Sequence, residues 1–145
     1  MGLVTVTMVV KGKRGRRRNV EFLVDSGAVW SVLPTADWKA LGLKAERSHR
    51  FALADGTVIE RSVSECRFHY EGNEASSPVV LGEEGDVALL GCVTLETLAL
   101  VLNPFDRSLR PMRLLLASIA AARSGSYARA PQFRECLRTT PRMVP

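Results

Sequence analysis

Apolar residues along this chain fall in short runs separated by polar, glycine-bearing breaks, a rhythm that predicts strands more than helices. Residues 3–10 alternate Val and Thr and then become continuously apolar, as a strand does. A second stretch, Val20 to Ala28, opens on an apolar run, and a third, Val29-Trp30-Ser31-Val32-Leu33-Pro34, follows at once. Between the first two lies Lys11-Gly12-Lys13-Arg14-Gly15-Arg16-Arg17-Arg18-Asn19, which reads as a hairpin tip in solvent. Two strand arms within residues 51–59 flank Asp55-Gly56, the strongest short hairpin signal in the chain. Residues 63–70 and 77–81 are two further strands, joined by the turn Glu71-Gly72-Asn73-Glu74. The turn Gly82-Glu83-Glu84-Gly85-Asp86 leads into the apolar run Val87-Ala88-Leu89-Leu90-Gly91.

Two short helices are expected among these strands. Thr35 can cap one through Asp37, Trp38 and Leu41, stopped near Gly42. Thr94 starts the other, in which Leu95, Leu98 and Leu102 recur at helical spacing before Pro104. Residues 109–116, with Pro111 inside, read as an edge or terminal strand. The body is therefore mostly β, and its short, closely spaced strands suggest a small closed structure.

The second run ends abruptly. Val20-Glu21-Phe22-Leu23-Val24 gives way to Asp25-Ser26-Gly27, so a carboxylate sits where a buried strand leaves the core. A carboxylate there is costly unless it is hydrogen-bonded or paired. Ser26 can donate a hydrogen bond, and Gly27 admits close backbone approach. These residue types also make an ordinary strand-ending turn, and on their own they leave both readings open.

Composition narrows the classes. The chain has 145 residues, enough for one domain with a real core. Its net charge of +5 is uneven: residues 1–116 hold 15 Lys/Arg against 14 Asp/Glu, and residues 117–145 hold five Arg and one Glu. The basic character is a property of the tail, which is small, Pro/Ser-rich and expected to be largely disordered. Cys66, Cys92 and Cys136 lie far apart with no CxxC or His spacing, which argues against zinc and against a disulfide framework. No apolar run reaches the ~18 residues of a membrane span. The N-terminus places apolar residues ahead of basic ones, the reverse of a secretory signal, and Val6 stands where a myristoylation signal wants Ser or Thr. A cytoplasmic protein is the expectation. The Lys11–Arg18 run has no aromatic residues for base stacking, so a nucleic-acid partner is disfavoured. His49 and His69 are single and read as surface or sheet residues, Cys92 as buried and inert, and Trp30 and Trp38 as core or pocket wall.

Taken together, the motifs resemble the retroviral-type (retropepsin-like) aspartic proteases, and most closely the compact cellular members. The order is Asp25-Ser26-Gly27-Ala28, Leu33-Pro34, Leu41-Gly42-Leu43, Ala54-Asp55-Gly56-Thr57, Ala88-Leu89-Leu90-Gly91, Thr94-Leu95-Glu96-Thr97-Leu98 and Asn103-Pro104. The likeness covers about residues 3–116, which would be the protease domain, with 117–145 as a tail without counterpart. Ala99 and Asn103 stand where such chains often carry Gly and Asp, away from the expected active site.

The resemblance implies a small acid-protease barrel and an aspartic endopeptidase. That chemistry needs two carboxylates close enough to share one proton. This chain has one Asp-Ser/Thr-Gly, so the partner must come from a second copy across a two-fold axis, and an obligate homodimer with both Asp25 residues at the axis is expected. Asp25 would be catalytic, Ser26 would hold the loops across the axis, Gly27 would leave room for substrate backbone, and Ala28 would line the site. Ala54, Asp55, Gly56 and Thr57 would form a flap over an extended polypeptide substrate, and Leu89, Leu90 and Gly91 would pack behind the Asp loop. No metal or organic cofactor is implied. Two other readings stand beside it: a non-catalytic peptide-binding or interaction dimer of the same fold, and a basic nucleic-acid-binding β protein.

Overall fold

Strict alternation writes the first hairpin. In β1 (Thr5–Lys11) Met8 and Val10 point inward, and in β2 (Arg17–Val24) Val20, Phe22 and Val24 do. The two strands pair antiparallel with Met8 opposite Val20 and Val6 opposite Phe22, so both apolar sets reach the same core. The structure, a computed structural model, describes residues 2–115; the tail expected at 117–145 lies outside the described residues.

The remaining elements are β3 (Ser31–Leu33), α1 (Thr35–Ala40), β4 (Arg47–Ala52), β5 (Val58–Tyr70), β6 (Asn73–Leu81), β7 (Leu89–Leu90), α2 (Cys92–Thr97), β8 (Leu100–Asn103) and β9 (Ser108–Pro111). The protein is mostly β. Seven strands form one sheet in the order β1-β2-β7-β3-β6-β5-β4, and β1 is bonded on its other side to β5. β8 and β9 form a separate antiparallel pair. Phe22 and Phe68 meet in the core with ring centroids 5.7 Å apart, enclosed by Met8, Val10, Leu33, Leu90 and Leu98. Each such side chain contributes on the order of 2 kcal/mol by leaving water. Among the described residues, no helix is long and apolar enough to cross a membrane.

Three local expectations are corrected. Residues 58–70 are one strand, not two. Its first half pairs β4 and its second half pairs β6, with Val63 opposite both Arg47 and Val80. Glu60, Arg61 and Ser62 look like a break because no residue of Val58–Ser62 is buried, so neither face of this half of the strand has to be apolar. Thr35 does not cap α1: Pro34 holds that position, and the Thr35 hydroxyl donates to the Gly82 carbonyl (3.0 Å), as does Trp38 Nε1 (2.8 Å). Gly42, at φ +69°, does stop the helix. The second helix begins at Cys92 and ends at Thr97, because Ala99 turns left-handed (φ 53°) and the Leu98 carbonyl is taken by Asn73 Nδ2 at 2.6 Å. Leu102 therefore lies in β8. The Lys11–Arg18 stretch is the exposed hairpin tip expected, with a short 3₁₀ turn over Lys13–Gly15 and the Lys13 N–H donating to the Leu41 carbonyl at 3.0 Å.

The seam between β1 and β5 carries a charge clamp. Glu74 accepts from Lys11 Nζ and from Arg67 Nε, each at 2.7 Å, and so joins β6 to both strands. Those bonds lower its carboxyl from the ordinary 4.5 to about 2, Lys11 contributing most. A carboxylate whose folded value is depressed stabilises above its unfolded value and loses that contribution as pH falls toward the folded one. The melting-temperature difference between wild type and Glu74→Gln should therefore be constant above about pH 4.5 and shrink toward zero near pH 2. A difference unchanged across that window would show that the ionised carboxylate is not its source.

Candidate active site

β2 pairs parallel with β7 at Leu23–Leu89 and Val24–Leu90. The pairing runs one residue past the strand, where the Asp25 N–H donates to the Leu90 carbonyl at 3.0 Å. Asp25 is thus fixed at its backbone as the chain turns out of the sheet. Its side chain is half-buried, and Oδ1 accepts from the Gly27 N–H at 2.9 Å. Ser26 and Gly27 are exposed, and the Ala28 N–H returns to the Asp25 carbonyl at 3.2 Å. This is a strand-ending turn, but a turn held from outside.

The holding comes from β7 and α2. Cys92 N–H donates to the Ala28 carbonyl (2.8 Å), Val93 N–H to the Val29 carbonyl (3.0 Å) and Gly91 N–H to Ser31 Oγ (3.0 Å). Behind them three buried hydroxyls form a chain. Ser31 Oγ lies 2.6 Å from Thr94 Oγ1, which lies 2.9 Å from Ser77 Oγ, so β3, α2 and β6 are bonded through side chains. Ser31 and Thr94 are fully buried and Ser77 nearly so. Thr94→Val keeps the shape but removes both hydroxyl–hydroxyl bonds, leaving Ser31 Oγ with the Gly91 N–H and Ser77 Oγ with the Pro78 carbonyl (3.3 Å), and should cost about 2 kcal/mol in chemical denaturation. A loss below about 0.5 kcal/mol would show that the chain of hydroxyls adds nothing.

The second expected piece of the site is the β4–β5 hairpin. Ala54, Asp55, Gly56 and Thr57 form its exposed tip. Leu53 N–H donates to the Thr57 carbonyl (2.7 Å), Gly56 N–H to the Leu53 carbonyl (2.9 Å) and Thr57 N–H to Asp55 Oδ1 (2.8 Å). That last bond lowers the Asp55 carboxyl below its ordinary value. The structure thus joins Asp25–Ala28 to Leu89–Gly91 directly. Among the described residues, no hydrogen bond links the 54–57 tip to the Asp25 loop. The hairpin reaches that loop by its arm, through Trp30, which packs edge-on against His49 and Phe51.

A family model described as "gag-polyprotein putative aspartyl protease" matches residues 11–97, well over half the chain. The chain belongs to that family. The match contains the Asp25 loop, the 54–57 hairpin, β7 and α2. No curated protein matches this sequence. Among solved structures, an EIAV protease complexed with the inhibitor HBY-793 is similar in fold, with a TM-score of 0.53 and 19% identity over 79% of this chain and 94% of that one.

Within this aspartyl-protease family member, one reading of a single residue changes. Cys92 is not buried: it is half-exposed, and its thiol donates to the Ser26 carbonyl at 2.8 Å, on the Asp25 loop itself. Cys66 is the buried thiol, pushed up to about 12 by desolvation and so unreactive. Ser31, Thr94 and Ser77 support the site but escape the motif reading, which takes Ser31 as strand and Thr94 as a helix start. The available signal was a hydroxyl inside an apolar run, which must find a buried partner. Among the described residues, no group of three or more His, Cys, Asp or Glu is placed to hold a metal ion.

Proposed function

We propose that this chain is an aspartic endopeptidase that works as a homodimer, with Asp25 from each copy on either side of one water. The observation that carries the reading is the Asp25-Ser26-Gly27-Ala28 loop, held on the rigid β7–α2 wall in a chain that has no second such motif. One carboxylate takes a proton from the water as its oxygen attacks the scissile carbonyl carbon. The other gives a proton to the carbonyl oxygen, and collapse of the tetrahedral species with protonation of the nitrogen releases the two peptides. The loop's fixation is what such a pair needs, since misplacement of either acid by 1 Å can cost about a hundredfold.

The rest of the domain, residues 1–116, serves that site. β1 bonded to both β2 and β5 supports a small closed barrel as the frame. The 54–57 hairpin is the flap, and Ser26 ties the two loops across the axis. Exposed Val29 on the Asp25 loop and Leu53 and Val58 on the hairpin offer apolar surface to an extended polypeptide. Cys66 and Cys92, both free thiols, suit a cytoplasmic setting. The test is cleavage of a peptide library by wild type and by Asp25→Asn. Cleavage that survives the substitution would overturn the reading.

A further inference from the structure

β4 is a marginal strand. Among the described residues its sheet neighbour is β5, and its far side is open. It pairs β5 along its whole length, but most of its residues are exposed, and the burial pattern alone gives no reason for the hairpin to be fixed against the rest of the domain. The reason lies in one face. Arg47, His49 and Phe51 stand at alternate positions and so project on the same side. All three meet Trp30. The His49 ring centroid is 5.1 Å from that of Trp30 at 82°, Phe51 is 5.7 Å away at 71°, and Arg47 Cζ lies 5.6 Å over the indole. Edge-on aromatic pairs and a guanidinium over a ring are attractive beyond the area they cover.

The other side of Trp30 is rigid. Its backbone lies against Gly91, and the next residue, Ser31, is bonded to Gly91 and Thr94. One residue thus joins the hydrogen-bonded wall behind Asp25 to an outer arm that is otherwise held, among the described residues, by its ladder with β5 alone. We propose that Trp30 is a positioning residue, a latch that fixes the outer arm of the β4–β5 hairpin to the Asp25 loop and so sets where the 54–57 tip stands when substrate is bound. This rests on the reading of that hairpin as the flap.

The latch has two readouts. Trp30→Ala should raise KM about tenfold while kcat stays within about threefold, because the flap contacts substrate while the carboxylates are held by β7 and α2. It should also speed amide exchange at Leu53 and Gly56 about tenfold relative to amides of β1 and β2. Trp30→Phe, which keeps a ring edge for His49 and Phe51, should restore most of both. Phe51→Ala should mimic Trp30→Ala, and the double variant should fall short of the summed effects. Unchanged exchange at Leu53 and Gly56, or a fall in kcat with KM constant, would overturn the latch. Should the wild-type chain cleave nothing, the endopeptidase reading fails while the exchange comparison still decides the latch.

Discussion

Asp25→Asn is expected to lower kcat/KM for peptide cleavage by about a thousandfold or more, with the melting temperature within a few degrees of wild type. The fold has little reason to notice. The substitution is isosteric, and the amide oxygen of the new side chain can still accept from the Gly27 N–H that now donates to Oδ1 at 2.9 Å. The Asp25 backbone stays bonded to Leu90. The chemistry has every reason to notice, because the variant has no group that can take a proton from water. Activity should be followed as product formed per chain at two enzyme concentrations well apart, with denaturation measured on the same samples.

A second arm of that experiment separates a shared site from a self-sufficient one. Wild type mixed with a roughly ninefold excess of the variant, and allowed to exchange partners, should retain about a tenth of its activity, since few wild-type chains then meet another. A monomeric catalyst would lose nothing on mixing. Retention of full activity would leave Asp25 essential and remove the dimer from the mechanism.

Much of this arrangement was legible in the chain, for identifiable reasons. The strands around Asp25 are apolar runs with sharp polar ends, and Asp55-Gly56 marks its own turn. Both signals are local. What escaped was non-local. Residues 60–62 look like a loop because neither face of that hairpin arm is buried, so the strand carries no apolar pattern there. Thr35 has the chemistry of a cap, but the Gly82 carbonyl, 47 positions away, claims its hydroxyl. Cys92 sits in an apolar stretch and reads as core, yet a helix start at that residue turns its thiol toward the Ser26 carbonyl. The hydroxyls of Ser31, Ser77 and Thr94 explain one another only once three elements are brought together. Trp30 likewise has no meaning until β4 is laid against it.

Gly91→Ala is the substitution expected to damage both fold and site. Gly91 has φ −91°, a conformation any residue adopts, so the requirement is for space and not for backbone freedom. A Cβ at this position would stand 2.6 Å from the Trp30 carbonyl carbon, 2.8 Å from its oxygen and 2.9 Å from the Val29 carbonyl oxygen. All three are main-chain atoms, and no side-chain rotation relieves them. Either β7 and α2 must retreat or residues 29–30 must. The bonds that fix the Asp25 loop cross this same contact: Gly91 N–H to Ser31, Cys92 N–H to Ala28 and Val93 N–H to Val29. Overpacking in a tight core ordinarily costs 1–3 kcal/mol, and contact with main chain places this case at about 3 kcal/mol. A shift of the loop by even half an ångström also moves the carboxylate, so surviving folded protein should cleave at least about tenfold more slowly. The check is denaturant unfolding together with activity normalised to folded protein at low temperature. Wild-type stability in this variant would mean that the wall behind Asp25 yields easily. Wild-type activity per folded chain would mean that the wall does not set the position of the acid.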